Sequence, residues 1–145
     1  MTTPTLALLF ALLIQGLIPL VLLWMLFTIR IPLVTRREIR LKDIALSRDA
    51  WPEREKQVSN AVDNQFQLPL LLVLAGFVAL YLGATWVEVA LAWVFVVSRI
   101  VHAAIFVTSN HVVRRFWAYA VGFVALVGFW LDLLARVFLV ALGTT

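Results

Sequence analysis

No charged residue occurs between Thr5 and Ile29, and apolar side chains fill nearly all of that stretch. At 1.5 Å per residue such a helix spans ~37 Å, enough to cross a bilayer with some tilt. Gln15, Gly16 and Pro19 interrupt the run. Gly16 permits close helix approach, and Pro19 removes a backbone donor, which predicts a kink. Thr3-Pro4 reads as a helix cap followed by proline in the first turn. The apolar pattern then returns three times. It predicts spans at about 52–82, 85–107 and 114–142, after a first at about 5–29, with a polar loop over 30–51. Trp51-Pro52-Glu53 has the form of a helix start, and Tyr81 to Trp86 that of a tight turn flanked by interfacial aromatics. Within the loop, RREIRLKDIALSRD is read as a short interfacial helix. The predicted fold is all-α: one integral membrane four-helix bundle over 1–145.

The second span opens on an unusual polar stretch. Asn60, Asp63, Asn64 and Gln67 stand at i, i+3, i+4 and i+7. On one unbroken helix their side chains share a sector of roughly 100°. Lys56 extends the same stripe. Amides and a carboxylate are too costly to face lipid, so they must face other helices or a water-filled cavity. Two readings follow: interhelical glue, or a polar ligand site at the cytosolic mouth of the bundle.

Arg99 stands about thirteen residues into the third span, or ~20 Å along it, inside the membrane. An intramembrane arginine needs a partner. Counting from the turn puts it level with Phe66 to Pro69, so Gln67 is the nearest candidate and Asp63 lies one turn further. His102 shares its face and is a proton carrier, a ligand or a core hydrogen-bonder. His111 falls in a turn far from His102, which argues against a haem held by both. Asp132 and Arg136 are spaced for an i, i+4 pair in the favourable order.

The 145 residues are 63% hydrophobic and 14% charged, which excludes an ordinary soluble domain. The chain has no cysteine, so disulfides and thiolate metal sites are excluded, and no metal site is expected. The net charge of +4 is concentrated in one loop and is no nucleic-acid signal. By the positive-inside rule the loops at 30–57 and 108–115 are cytosolic and both termini are not. The N-terminus has no basic region ahead of its apolar run, so no cleavable signal peptide is read there. No zinc-protease, phosphate-loop or Ser/His/Asp pattern occurs.

Asn64-Gln-Phe-Gln67-Leu-Pro69, Arg99-Ile-Val-His102 and Arg115, sixteen residues beyond Arg99, resemble the MAPEG family, in what looks like a bacterial branch. These are the membrane-associated proteins of eicosanoid and glutathione metabolism. The resemblance covers nearly the whole chain. It implies a homotrimer that binds glutathione between subunits near the cytosolic face and takes lipophilic substrates from the bilayer. It also implies a setting in the bacterial inner membrane. Arg115 then corresponds to the arginine that stabilises the glutathione thiolate. Asn64, Gln67, Arg99 and His102 correspond to other site residues, with Arg30, Asn60 and Asp63 beside them. This sequence departs from the family pattern at four points. Asn60 stands where an arginine is usual, Gln67 replaces a glutamate, Pro69 comes one residue early, and Phe106 replaces a tyrosine.

Two functions are compatible with this reading. One is a glutathione-dependent transferase or peroxidase. The other is a non-catalytic accessory or structural subunit of a larger membrane complex. An ion-coupled drug transporter fits less well, because the first span has no acidic residue.

Overall fold

The computed structural model describes residues 1–143; Thr144 and Thr145 lie outside the described residues. The helices are α1 (Thr3–Thr35), α2 (Glu53–Asp63), α3 (Leu68–Leu82), α4 (Trp86–Val107) and α5 (Val112–Ala141), with no strand among the described residues. Together α2 and α3 form one of 4 segments long and apolar enough to cross a membrane. The chain is thus an all-α, multi-pass membrane bundle, in which α4 packs most extensively on α5.

The first helix starts one residue earlier than expected. Thr2 is its cap, accepting a bond from the Thr5 N–H at 3.4 Å. It also continues to Thr35 rather than ending at Ile29, and so takes Arg30 into the helix. Its end is a Schellman motif: the Arg37 N–H bonds to the Val34 carbonyl and the Glu38 N–H to the Leu33 carbonyl. Arg37 occupies the left-handed position at φ 58°, where glycine is usual. The following loop forms no interfacial helix, only a 3-10 turn at Leu41–Asp43 closed by Arg40 on Asp43 at 2.8 Å. Ile39, Leu41, Ile44 and Leu46 fit no single helical period, so no apolar stripe exists to hold a helix on the bilayer.

The second span is not one helix. A 3-10 turn over Asn64–Phe66 and a non-helical Gln67 (φ −103°, ψ −102°) separate α2 from α3. Pro69 favours the break, since it cannot donate to the Gln65 carbonyl, although α1 runs on through Pro19 and Pro32. The expected stripe of Asn60, Asp63, Asn64 and Gln67 is therefore broken.

At the opposite end, Gly83 turns the chain at φ 82°. Thr85 and Glu88 then form a reciprocal capping box at the start of α4. Glu88 is wholly buried, and Arg136 of α5 pairs with it. Arg136 also donates to the carbonyls of Leu82 and Gly83, at 3.2 and 2.8 Å. The expected Asp132–Arg136 pair gives way to this one. A buried carboxylate without a cation is far more costly than the half-buried Asp132, whose Oδ2 has no hydrogen-bond partner among the described residues.

Two apolar clusters build the interior. One is centred on Leu8, Leu72, Phe95 and Phe129, the other on Leu22, Val58, Ala103 and Phe106. Gln15, Gln65, Ser98, Arg99 and His102, all buried, fall between them along their helices. The bundle thus has a polar layer between two greasy ones.

At that layer α4 and α5 approach closely. A methyl group built on Gly122 would sit 2.3 Å from Ser98 Oγ, which donates to the Phe95 carbonyl at 2.6 Å. Gly122→Val is expected to lower stability by about 1–3 kcal/mol through overpacking. Thermal unfolding in detergent checks this, and adding Ser98→Ala should recover part of the loss. A Gly122→Val protein as stable as the parent would show that the helices separate freely.

A candidate polar site at the basic end of the bundle

Where α2, the end of α4 and the start of α5 meet, the chain forms a cleft of about 430 Å³. Its walls are Glu53, Lys56, Gln57, Asn60, Phe106, Asn110 and Arg115. That volume lies within the ~300–1,000 Å³ usual for small-molecule sites. Two α2 side chains fix the wall. Arg54 donates to the Val107 carbonyl and Gln57 to the Phe106 carbonyl, so α2 caps the last turn of α4. Asn110 makes the turn that follows. It tolerates the left-handed conformation (φ 49°), and its side chain accepts from Arg115 Nη1 at 2.5 Å. Arg115 is held from below as well, its guanidinium 3.8 Å above the Phe106 ring. The position of this cation therefore follows from a turn residue and an aromatic.

A line of ring contacts runs inward from there. His102 meets Phe106 edge-on at 5.7 Å and Tyr119 at 6.1 Å, and the Arg99 guanidinium lies 5.7 Å from the Tyr119 ring. Arg99 is wholly buried, and its Nη2 donates to the Asn64 carbonyl at 3.1 Å. Its Nε and Nη1, and His102 Nδ1, have no hydrogen-bond partner among the described residues. The sequence expectation placed Gln67 or Asp63 against Arg99. Neither is there. Asp63 is exposed and paired with Arg48 at 2.6 Å, and Gln67 is exposed at the helix break. With the turn rewound by Pro69, a backbone carbonyl faces Arg99 instead. The carboxylate of Asp63 in turn holds the Arg48 guanidinium more firmly protonated than usual, mainly through their hydrogen bond.

Arg99→Met should therefore leave the folded chain as stable or more so, since it removes a buried charge that meets no carboxylate among the described residues. A fall of several degrees in the thermal midpoint would show instead that an anion from a ligand or a neighbouring subunit completes this site.

Among the other expected site residues, Asn60 lines the cleft, while Asn64 turns its side chain back onto the Asn60 carbonyl at 2.8 Å. Arg30 does not reach the cleft. It pairs with the wholly buried Glu55 at 2.5 Å, donates to Ser59 at 3.4 Å and lies 5.0 Å from the Trp51 ring. Thus Arg115 and Asn60 come together, Arg99 and His102 stand behind them, and Arg30, Asp63, Asn64 and Gln67 point elsewhere. Glu53, Gln57, Asn110 and Tyr119 were missed from the sequence. Tyr119 was accessible, since it lies four residues after Arg115 on the same helical face.

An arginine-lined polar cleft at one end of four membrane-crossing helices defines a class: small multi-pass membrane proteins with a polar site at one membrane face. The comparison with family models narrows the class, for the model described as "MAPEG family" matches residues 3–135. The chain belongs to the MAPEG family. Direct comparison with curated proteins and with solved structures gave no match.

Proposed function

We propose that this protein is a glutathione-dependent transferase or peroxidase acting on lipophilic electrophiles, with the cleft as its thiol site. One observation carries the reading: Arg115 is held by Asn110 and Phe106 on the wall of a polar cleft. The donor set suits a zwitterionic tripeptide. Lys56 and Arg115 offer positive charge to carboxylate or thiolate, Glu53 offers a counter-charge to an ammonium, and Gln57, Asn60 and Asn110 offer amides. Glutathione, when bound, supplies a thiol that acts as nucleophile or two-electron reductant. Arg115 favours the thiolate over the thiol by direct charge stabilisation. His102 packs edge-on against Phe106 and keeps its ring in place, with Tyr119 and Arg99 behind it. Asn64 acts through Asn60, to whose carbonyl it is bonded.

The working unit in this reading is a homotrimer, as is general in the family. Asn60, Asp63 and Gln67 are exposed along a membrane-crossing segment, where lipid contact is disfavoured and a neighbouring copy would cover them. The loop end faces the cytosol and both termini face away, as in a bacterial inner membrane.

A second reading keeps the protein as a non-catalytic subunit of a larger complex. The engagement of Arg30 by Glu55 and of Asp63 by Arg48 favours it, because polar groups that resemble site residues serve to hold the chain together. Titration of glutathione into the purified protein separates the two. With Asn60 in place of arginine, one charge-assisted contact is lost. Such contacts contribute about 1.5–3 kcal/mol, so binding should be roughly ten- to a hundredfold weaker than in family enzymes. Asn60→Arg should tighten it. No heat at millimolar glutathione in either protein would leave the accessory reading standing.

A further inference from the structure

Two segments of this bundle carry the same spacing, a glutamine four residues before a proline. Gln15 precedes Pro19 inside α1, and Gln65 precedes Pro69 at the break between α2 and α3. Proline has no N–H, so neither glutamine's backbone carbonyl can receive the usual helical bond from four residues on. The two side chains meet in the polar layer. Gln15 Nε2 donates to Gln65 Oε1 at 3.3 Å, and the residues are only 2% and 3% exposed. That single bond leaves Gln15 Oε1 and Gln65 Nε2 buried without a partner among the described residues. Turning both amides over still leaves one acceptor and one donor, and turning only one sets like atoms against each other.

A cavity of about 160 Å³ lies against this pair, lined in part by Gln15, Gly16, Pro19, Gln65, Phe66 and Pro69. A methyl group built on Gly16 meets nothing within 4 Å, so there is open space beside this glycine. The rim at Gly16 and Phe66 is exposed on the outer surface of the helices. The cavity shares no residue with the Arg115 cleft, and no charged side chain lines it.

We infer that this cavity is an intramembrane binding site for a hydroxyl group, which donates to Gln15 Oε1 and accepts from Gln65 Nε2. An apolar ligand leaves both atoms unmatched, and an anion meets no cation there. A ligand with only a carbonyl satisfies the donor and not the acceptor. Water and a lipophilic alcohol share the required chemistry. The cavity holds far more than the ~30 Å³ one water occupies in the liquid, and its apolar rim suits an alkyl chain. This site stands apart from the thiol cleft and does not rest on it.

The test uses the full chain, labelled with ¹⁵N-glutamine, in fully deuterated detergent. The glutamines are Gln15, Gln57, Gln65 and Gln67, so loss of a signal in Gln65→Leu assigns its amide. The expected result is a nuclear Overhauser contact from the Gln65 side-chain NH₂ to water, or to the chain protons of added 1-decanol with a saturable shift. A water contact that survives decanol identifies water as the occupant. Its replacement identifies a lipophilic alcohol. Either contact should disappear in Gln15→Leu, or in the volume-conserving Gln15→Met if the first does not fold. Absence of both contacts in the parent protein, or their persistence in the Gln15 variants, overturns the proposal.

Discussion

Arg115→Ala is expected to lower glutathione-dependent turnover about a hundredfold, the order seen when one charge-stabilising donor is removed from an enzyme site. The same change should move stability by no more than about 1 kcal/mol. The split follows from where the side chain sits. Arg115 is half-buried on the rim, its bond to Asn110 is solvent-exposed, and its stacking on Phe106 covers a ring that His102 also packs. Removing it exposes part of a ring and orphans one amide oxygen that water can reach. Turnover with chlorodinitrobenzene, alongside thermal unfolding in detergent, measures both quantities. Arg114→Ala, at an exposed neighbouring position outside the cleft, should leave both unchanged. If Arg115→Ala retained full turnover, the thiolate would be stabilised elsewhere and the cleft assignment would fall.

Arg30→Ala should give the largest loss of stability, about 3–5 kcal/mol, because it strands a buried carboxylate. In a chain of this size that corresponds to a midpoint lower by roughly 10 °C. The side chain of Arg30 is 38% exposed and that of Glu55 is 0% exposed, so the penalty falls on Glu55. Glu55 Oε2 already lacks a partner, and Arg30 is the only ion-pair partner of the other oxygen among the described residues. Glu55→Gln should lose less, since a neutral amide costs less to bury than a carboxylate. Arg30→Met combined with Glu55→Leu should recover most of the loss, as apolar replacement of a buried pair often does. A stable Arg30→Ala protein with weakened glutathione binding would return Arg30 to the ligand site that the family resemblance implied.

Arg30 shows how a residue can be readable in type and unreadable in role. The family resemblance, with asparagine at position 60 where an arginine is usual, made it a candidate for the ligand site. The partner that claims it, Glu55, lies 25 residues away in the chain, and nothing local to either residue records the pairing. Arg136 behaves in the same way. Its i, i+4 spacing to Asp132 was visible, yet the tight turn brings in a buried carboxylate that outcompetes it. The polar stripe failed for a local reason. A stripe through Gln67 needs one helix past Asn64, and Pro69 withholds the hydrogen bond that would carry that helix past Gln65. That break turns Gln65 inward, a residue the stripe left out, and releases Gln67 and Asp63 from Arg99.

The four membrane segments follow from sequence alone, because burying 20-odd consecutive apolar residues in lipid is a one-dimensional requirement that length and hydropathy satisfy. The turn at Gly83, the cap at Thr85 and the interior position of Arg99 are legible for the same reason: each depends on residues within a few positions of one another. The cleft is different. It needs Asn60 of α2, Phe106 at the end of α4 and Arg115 of α5 at one place, with Asn110 to aim the cation. Those distances depend on how three helices cross, and crossing is set by packed surfaces such as Gly122 against Ser98. Which arginine meets a carboxylate, which meets a carbonyl and which is left facing a ligand is likewise decided only in three dimensions. Charge pairing is settled by proximity and desolvation, and both exist only once the chain is packed.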